Sequence, residues 1–270
     1  WVVAWHTWRY AYNSRFDTRF CISPDGGESW TSTRQLSVDS LSPLTYDANV
    51  RLVGTSTGGV FAAWESRNTL PGSASTDADC VMRRLAADTN WEAVQGLDPT
   101  AVDDGPGNDK GVQLAGDGAG RVLAVWQTDA DLGINTRHDS DIWCARSLDG
   151  GQTWGRHRSI SAEAQSDSVA DLSPSLAMDA AGRTVVMWNA QTHIRSSHSV
   201  DAGETWQPGG SLLTPHGIGM FSPVTPHVAT DGSGTWVAVW TSDDDAGGEL
   251  EILPHVWTSR STDLGATWTA

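Results

Sequence analysis

Ser147-Leu148-Asp149-Gly150-Gly151-Gln152-Thr153-Trp154 decides the fold, because the chain writes it again three times. The copies are Ser23-Pro24-Asp25-Gly26-Gly27-Glu28-Ser29-Trp30, Ser199-Val200-Asp201-Ala202-Gly203-Glu204-Thr205-Trp206 and Ser261-Thr262-Asp263-Leu264-Gly265-Ala266-Thr267-Trp268. A degenerate fifth copy, residues 84–91, keeps only Trp91. The tryptophans stand at 30, 91, 154, 206 and 268, so the gaps are 61, 63, 52 and 62 residues. Each residue of the octet has a mechanical job. Asp in a turn accepts backbone N–H bonds and holds a hairpin closed. Gly takes a positive φ that a Cβ would oppose. Trp buries a large ring between layers and pins the outer strand. Asp25, Trp30, Asp149, Trp154, Asp201, Trp206, Asp263 and Trp268 are therefore expected to build the frame and do no chemistry.

Working outward, a short apolar run precedes each octet: Val2-Val3-Ala4-Trp5, Phe61-Ala62-Ala63-Trp64, Leu123-Ala124-Val125-Trp126, Val185-Val186-Met187-Trp188 and Val237-Ala238-Val239-Trp240. Such β-branched runs read as buried strands. Upstream, Gln113 to Asp117, Ser175 to Asp179 and His227 to Asp231 each enter a Gly-containing turn. Each unit thus reads as four antiparallel strands over roughly 50–60 residues, the spacing of a propeller blade. The expected fold is all-β, a β-propeller forming one domain over 1–270. Its units lie near 1–40, 41–98, 99–160, 161–212 and 213–270, the first and last blades being incomplete. Across units Arg51, Gln113, Ser175 and His227 are equivalent and polar among apolar neighbours, so they are expected on the central channel.

Composition agrees and narrows function. The 270 residues include 15 Trp and 28 Gly, and 39% are hydrophobic, enough for a real core. A net charge of −16 repels phosphate backbones, so nucleic acid is not an expected partner. No run of 18 apolar residues exists, so no membrane span is expected. Three widely spaced cysteines, Cys21, Cys80 and Cys144, make neither a disulfide framework nor a zinc site and read as small strand hydrophobes.

The octets resemble the Asp-box (BNR) repeats of sialidases and related β-propellers. That resemblance implies a six-bladed wheel of which five units are visible, an extracellular or periplasmic location, and a working face opposite the boxes. That face is made from the loops after the second strands, and loops on a rigid scaffold commonly carry function. The first such stretch holds Trp8, Arg9, Tyr10 and Tyr12; Trp8 is a tryptophan the repeat does not explain, and it suits stacking on a sugar. Later loops hold Asp77, Asp79, Asp129, Asp131, Arg137 and Asp243 to Asp245. Their carboxylates could hold Ca²⁺ but lack the alternating spacing of a calcium loop, so no cofactor is expected and they read as solvated surface.

Phe61 to Arg67 resembles the sialidase strand that ends Glu-x-Arg. By that likeness Arg67 would join a carboxylate-binding group, Asp77 or Asp79 would be the acid, and Glu65 is a further candidate. Two departures stand against intact sialidase chemistry. The Arg-Ile-Pro motif is absent, with Val50 standing where other units have Pro174 and Pro226, and Arg51 is out of its register. Tyr10, Tyr12 and Tyr46 are the only tyrosines, and none lies downstream where the family's nucleophile belongs. The expected function is glycan recognition by Trp8, Arg9, Tyr10, Tyr12, Arg51, Arg67, Arg137 and His227 without intact catalysis. A glycoside hydrolase and a protein-interaction scaffold are the alternatives.

Overall fold

The structure, a computed structural model, describes residues 1–9, 15–37, 46–56, 58–67, 77–85, 90–97, 107–130, 139–161, 168–191, 193–209, 225–242 and 255–269. Its strands form five antiparallel sheets, each contiguous in sequence, which are the blades of a β-propeller. The first blade holds β1 (Val2–Arg9), β2 (Arg15–Ile22) and β3 (Arg34–Gln35). The second holds β4 (Asp47–Gly54), β5 (Val60–Ser66), β6 (Asp79–Leu85) and β7 (Gln95–Gly96). The third holds β8 (Asp109–Gly116), β9 (Val122–Thr128), β10 (Asp141–Ser147) and β11 (Arg158–Ser159). The fourth holds β12 (Asp171–Met178), β13 (Thr184–Ala190), β14 (His193–Ser199) and β15 (Gln207–Pro208), and the fifth β16 (His227–Thr230), β17 (Trp236–Ser242) and β18 (His255–Ser261).

Register makes the repeat literal. Arg51 faces Ala63, Gln113 faces Val125, Ser175 faces Met187 and His227 faces Val239, the equivalence read from sequence. The inner strands start earlier than expected, because β4, β8 and β12 each cross a bulge, between Ala48/Arg51, Lys110/Gln113 and Leu172/Ser175. Asn49, Gly111 and Ser173 take positive φ there, at 55°, 67° and 54°. A bulge adds one residue and turns the strand, which re-aims what precedes it. Before each bulge stands a buried acid, Asp47, Asp109 or Asp171.

The octets lock one blade onto the preceding one. In the third blade Ser147 Oγ donates to Asp149 Oδ1 at 2.7 Å, and Asp149 accepts from Thr153 N at 2.9 Å and Thr153 Oγ1 at 2.6 Å. The same bonds recur around Asp25, Asp201 and Asp263. The turn tryptophan then packs backward: Trp91 meets Phe20 of the first blade with ring centroids 5.5 Å apart, and Trp154 meets Phe61 of the second at 4.9 Å. Trp206 and Trp268 join the next two inter-blade cores, with Leu123 and Val185. Trp30 has no earlier blade among the described residues and is 42% exposed.

Close approach explains which turn glycine is needed. A Cβ on Gly151 would stand 2.7 Å from Phe61, and one on Gly203 2.7 Å from Leu123, both also at positive φ. The preceding turn residue is left-handed too, yet Ala202 and Leu264 occupy it beside Gly26 and Gly150. Contact with the neighbouring blade thus adds to backbone conformation at Gly151, Gly203 and Gly265, whereas Gly27 meets only its own Trp30, at 3.9 Å. The three cysteines form no disulfide and stand on β2, β6 and β10, with Cys80 and Cys144 buried and Cys21 half-buried.

Candidate functional site

The third strand's last residue leads into the octet, while its first residue pairs with the end of the second strand: Asp79 with Ser66, Asp141 with Thr128. Octets and second-strand ends thus lie at opposite ends of a seven-residue strand, roughly 20 Å apart at about 3.3 Å per residue. Counting three residues past the repeated Trp5, Trp64, Trp126 and Trp188 lands on Trp8, Arg67, Asp129 and Gln191. One register position, carried around the wheel, therefore presents four different chemistries.

The first three of these blades converge. β1 continues to Arg9, so Trp8 is a strand residue paired with Phe16 rather than part of a loop. Long hydrogen-bonded pairing of eight residues fixes its ring, which stacks on Phe16 at 6.4 Å between centroids and 16° between planes while staying 55% exposed. Phe16 meets Tyr46 at 5.3 Å, and the Arg67 guanidinium lies 5.9 Å from the Tyr46 ring centre. Arg67 N also donates to Tyr46 O at 2.8 Å. An aromatic staircase therefore descends from Trp8 to a cation, crossing from the first blade to the second.

Asp77 lies within reach of the Arg67 charge. Burial raises its pKa first, the Asp129 charge adds to that, and the Arg67 charge opposes it. Asn108 joins the two acids' surroundings: its N–H donates to Asp129 Oδ1, and its Oδ1 accepts from Ala78 N at 3.4 Å. Burial likewise raises the Tyr46 phenol, with Glu65 adding and Arg67 opposing. Sequence order placed Tyr46 too early to matter; folding brings it under Arg67.

Glu65 has a different task. Its Oε1 accepts from Gly111 N at 2.7 Å and from Asn49 Nδ2 at 2.8 Å, stitching the second blade to the third. Gln127 holds the same place one blade on and accepts from Ser173 N at 2.7 Å. A carboxylate whose work an amide repeats is a structural acceptor. Asp79 also stands at a repeated place, since Asp17 and Asp141 begin or approach the same row in their blades and all three are buried. Asp77, two residues before Asp79, has its own counterpart in Asp139, two residues before Asp141, and the next residues of both, Ala78 and Ser140, accept from Asp109 N and Asp171 N of the following blades.

Arg51 and His227 hold the same place on the first strands of their blades. Arg51 Nε donates to Gln113 Oε1 at 3.2 Å, and both Arg51 and His227 are exposed. Arg51 faces Ala63, four residues below Arg67, about 13 Å along the strand, so it does not join Arg67. Arg9 closes β1 opposite Arg15. Tyr10, Tyr12, Arg137, Asp131 and Asp243 to Asp245 lie outside the described residues. Among the described residues no group of three or more His, Cys, Asp or Glu could hold a metal, and no helix is long and apolar enough to cross a membrane.

No protein-family model matches the chain, and no curated protein is similar to it in sequence. Solved structures are similar in fold. A mutant of Trypanosoma rangeli sialidase displaying trans-sialidase activity superposes with a TM-score of 0.56 at 15% identity, covering 97% of this chain and 44% of that one. The NanB sialidase of Streptococcus pneumoniae gives 0.54 at 10% identity, covering 83% and 51%. A Hadza microbial sialidase gives 0.52 at 18% identity, covering 94% and 53%. The chain thus spans about half the length of these proteins. The class the architecture defines is the sialidase-like β-propeller, and identities this low speak to fold alone.

Proposed function

We propose that the protein is an exported glycan-recognition propeller whose binding face is the end of the blades remote from the octets. One observation carries the reading: an exposed Trp8 stacked on Phe16, which tilts against the Tyr46 ring that lies under Arg67. A flat aromatic face attracts the C–H face of a pyranose, and neighbouring charged groups bond its hydroxyls. The partner is a carbohydrate or glycoconjugate. A glycan array probed with the wild type and Trp8→Ala tests this; equal binding by the two removes Trp8 from the site.

A second reading, glycoside hydrolysis, is favoured by Asp77 alone. A carboxyl whose pKa is raised by burial can stay protonated and serve a leaving oxygen. Release of fluorophore from a panel of fluorogenic glycosides, lost in Asp77→Asn, would establish it.

A further inference from the structure

We infer that His6 is a second binding residue of the Trp8 platform, and that it orients the bound sugar by hydrogen-bonding one of its hydroxyls. This rests on the glycan-recognition reading and deepens it. His6, Glu65 and Gln127 stand at one register position, the residue after the repeated Trp5, Trp64 and Trp126. Two of the three are engaged across a blade joint. Glu65 Oε1 accepts from Gly111 N and Gln127 Oε1 from Ser173 N, each at 2.7 Å, and both N–H groups belong to the positive-φ residue of the next blade's bulge. Asn49 is that residue in the second blade, yet among the described residues no bond joins it to His6. The Asn49 side chain turns to its own blade and donates from Nδ2 to Glu65 Oε1 at 2.8 Å. The first joint therefore lacks the stitch that the next two carry, and the side chain that would make it is left over.

That side chain stands beside the platform. Alternate residues of a strand share a face, so His6 and Trp8 project together, about 7 Å apart along β1. Phe16 packs against both, with its centroid 6.2 Å from the His6 ring and 6.4 Å from the Trp8 ring. His6 and Trp8 are exposed. Across the strand pair from His6, Thr18 is buried and its Oγ1 is unbonded, so the first blade does not engage the imidazole either. A neutral imidazole donates from one nitrogen and accepts at the other, so it can meet a hydroxyl in either sense. An aromatic face alone sets the height of a pyranose and leaves it free to turn; a polar group at its edge removes that freedom.

The test is calorimetric titration of the intact chain with the methyl glycosides of galactose, glucose, mannose and N-acetylglucosamine and with the glycans of the array. Monodeoxy analogues of the tightest binder follow. His6→Phe keeps a ring against Phe16 and removes both nitrogens. It should melt with the wild type and bind roughly tenfold more weakly, the loss of one hydrogen bond. One monodeoxy analogue should weaken wild-type binding by a similar factor yet bind His6→Phe as well as its parent does, because the deleted hydroxyl and the deleted imidazole are the two ends of one bond. The His6 ring-proton resonances, assigned by their disappearance in His6→Phe, should shift when the wild type is saturated. Should the variant melt earlier, those resonances decide alone, and their standing still overturns the inference. Equal binding by His6→Phe and wild type, or losses that add for every deoxy analogue, also overturns it while leaving Trp8 in the site. Binding by no glycoside and no array glycan overturns the recognition reading, and this inference with it.

Discussion

The two ends of each blade obey opposite rules. At one end Ser, Asp, Gly, Thr or Ser, and Trp recur with nearly superimposable hydrogen bonds at 2.5–2.9 Å. At the other, one register position holds Trp8, Arg67, Asp129 and Gln191 in turn. The backbone is the same at both ends, so the difference lies in what side chains must do. Turn residues bond their own loop and press on the neighbouring blade, which leaves few acceptable substitutes. Second-strand ends point into solvent from a strand already fixed elsewhere, which leaves many.

That contrast can be broken by mutation. The largest effect is expected from Trp154→Ala, which empties the contact with Phe61 and should cost about 3–5 kcal/mol in urea unfolding. Trp30→Ala removes the same residue from the same turn but from an exposed site, and should cost less than about 1 kcal/mol. Equal losses would mean that the ring stabilises its own hairpin rather than the inter-blade joint. Next, Asp149→Ala strips acceptors from Thr153, Gln152 and Ser147 and should cost roughly 1–3 kcal/mol, with ligand affinity of the folded protein unchanged.

Acid should sharpen the same contrast. The Ser29 hydroxyl and N–H hold the Asp25 carboxyl down at about 2, and Thr267 does the same for Asp263. Burial pushes Asp149 up, but bonds from Thr153, Ser147 and Gln152 outweigh it and leave it at about 2 as well. These folded values are depressed, so the stabilisation is full above the ordinary carboxylate value of 3.8 and fades as pH falls toward 2. Melting temperature followed from pH 6 to pH 2 should hold level and then drop in that window. In Asp149→Ala/Asp263→Ala the drop should be shallower; an unaltered drop would place the acid-labile groups elsewhere. The smallest expected change is in Trp8→Ala, within about 0.5–1 kcal/mol of wild type in stability, although it should abolish measurable glycan binding.

Much of the frame was legible in the amino-acid order. Four octets and the degenerate fifth, 52 to 63 residues apart, marked out the blades, and aligning the units placed Arg51, Gln113, Ser175 and His227 in one row, as the pairing shows. The same alignment also held signals that motif reasoning passed over. Glu65 lines up with Gln127, and Asp79 with Asp141, so both carry marks of repeated structural duty. The Tyr46 contact was not legible, because it depends on a bulge after Asp47 and on Phe16 bridging to it from another blade. Trp8 was legible as an oddity, but its stacking partner was not, since a longer first strand was needed to set it beside Phe16.

The Glu65 and Gln127 stitches have a consequence for how the proposed ligand would be met. Each fastens the end of one second strand to the bulge of the next blade, just behind Arg67 and Asp129. The walls of the site are thereby coupled before any sugar arrives, and little ordering entropy is left to lose on contact. Preorganisation of this kind favours a modest but fast, rigid-body encounter, with affinity gained by repetition along a polymeric glycan rather than by closure around a single ring.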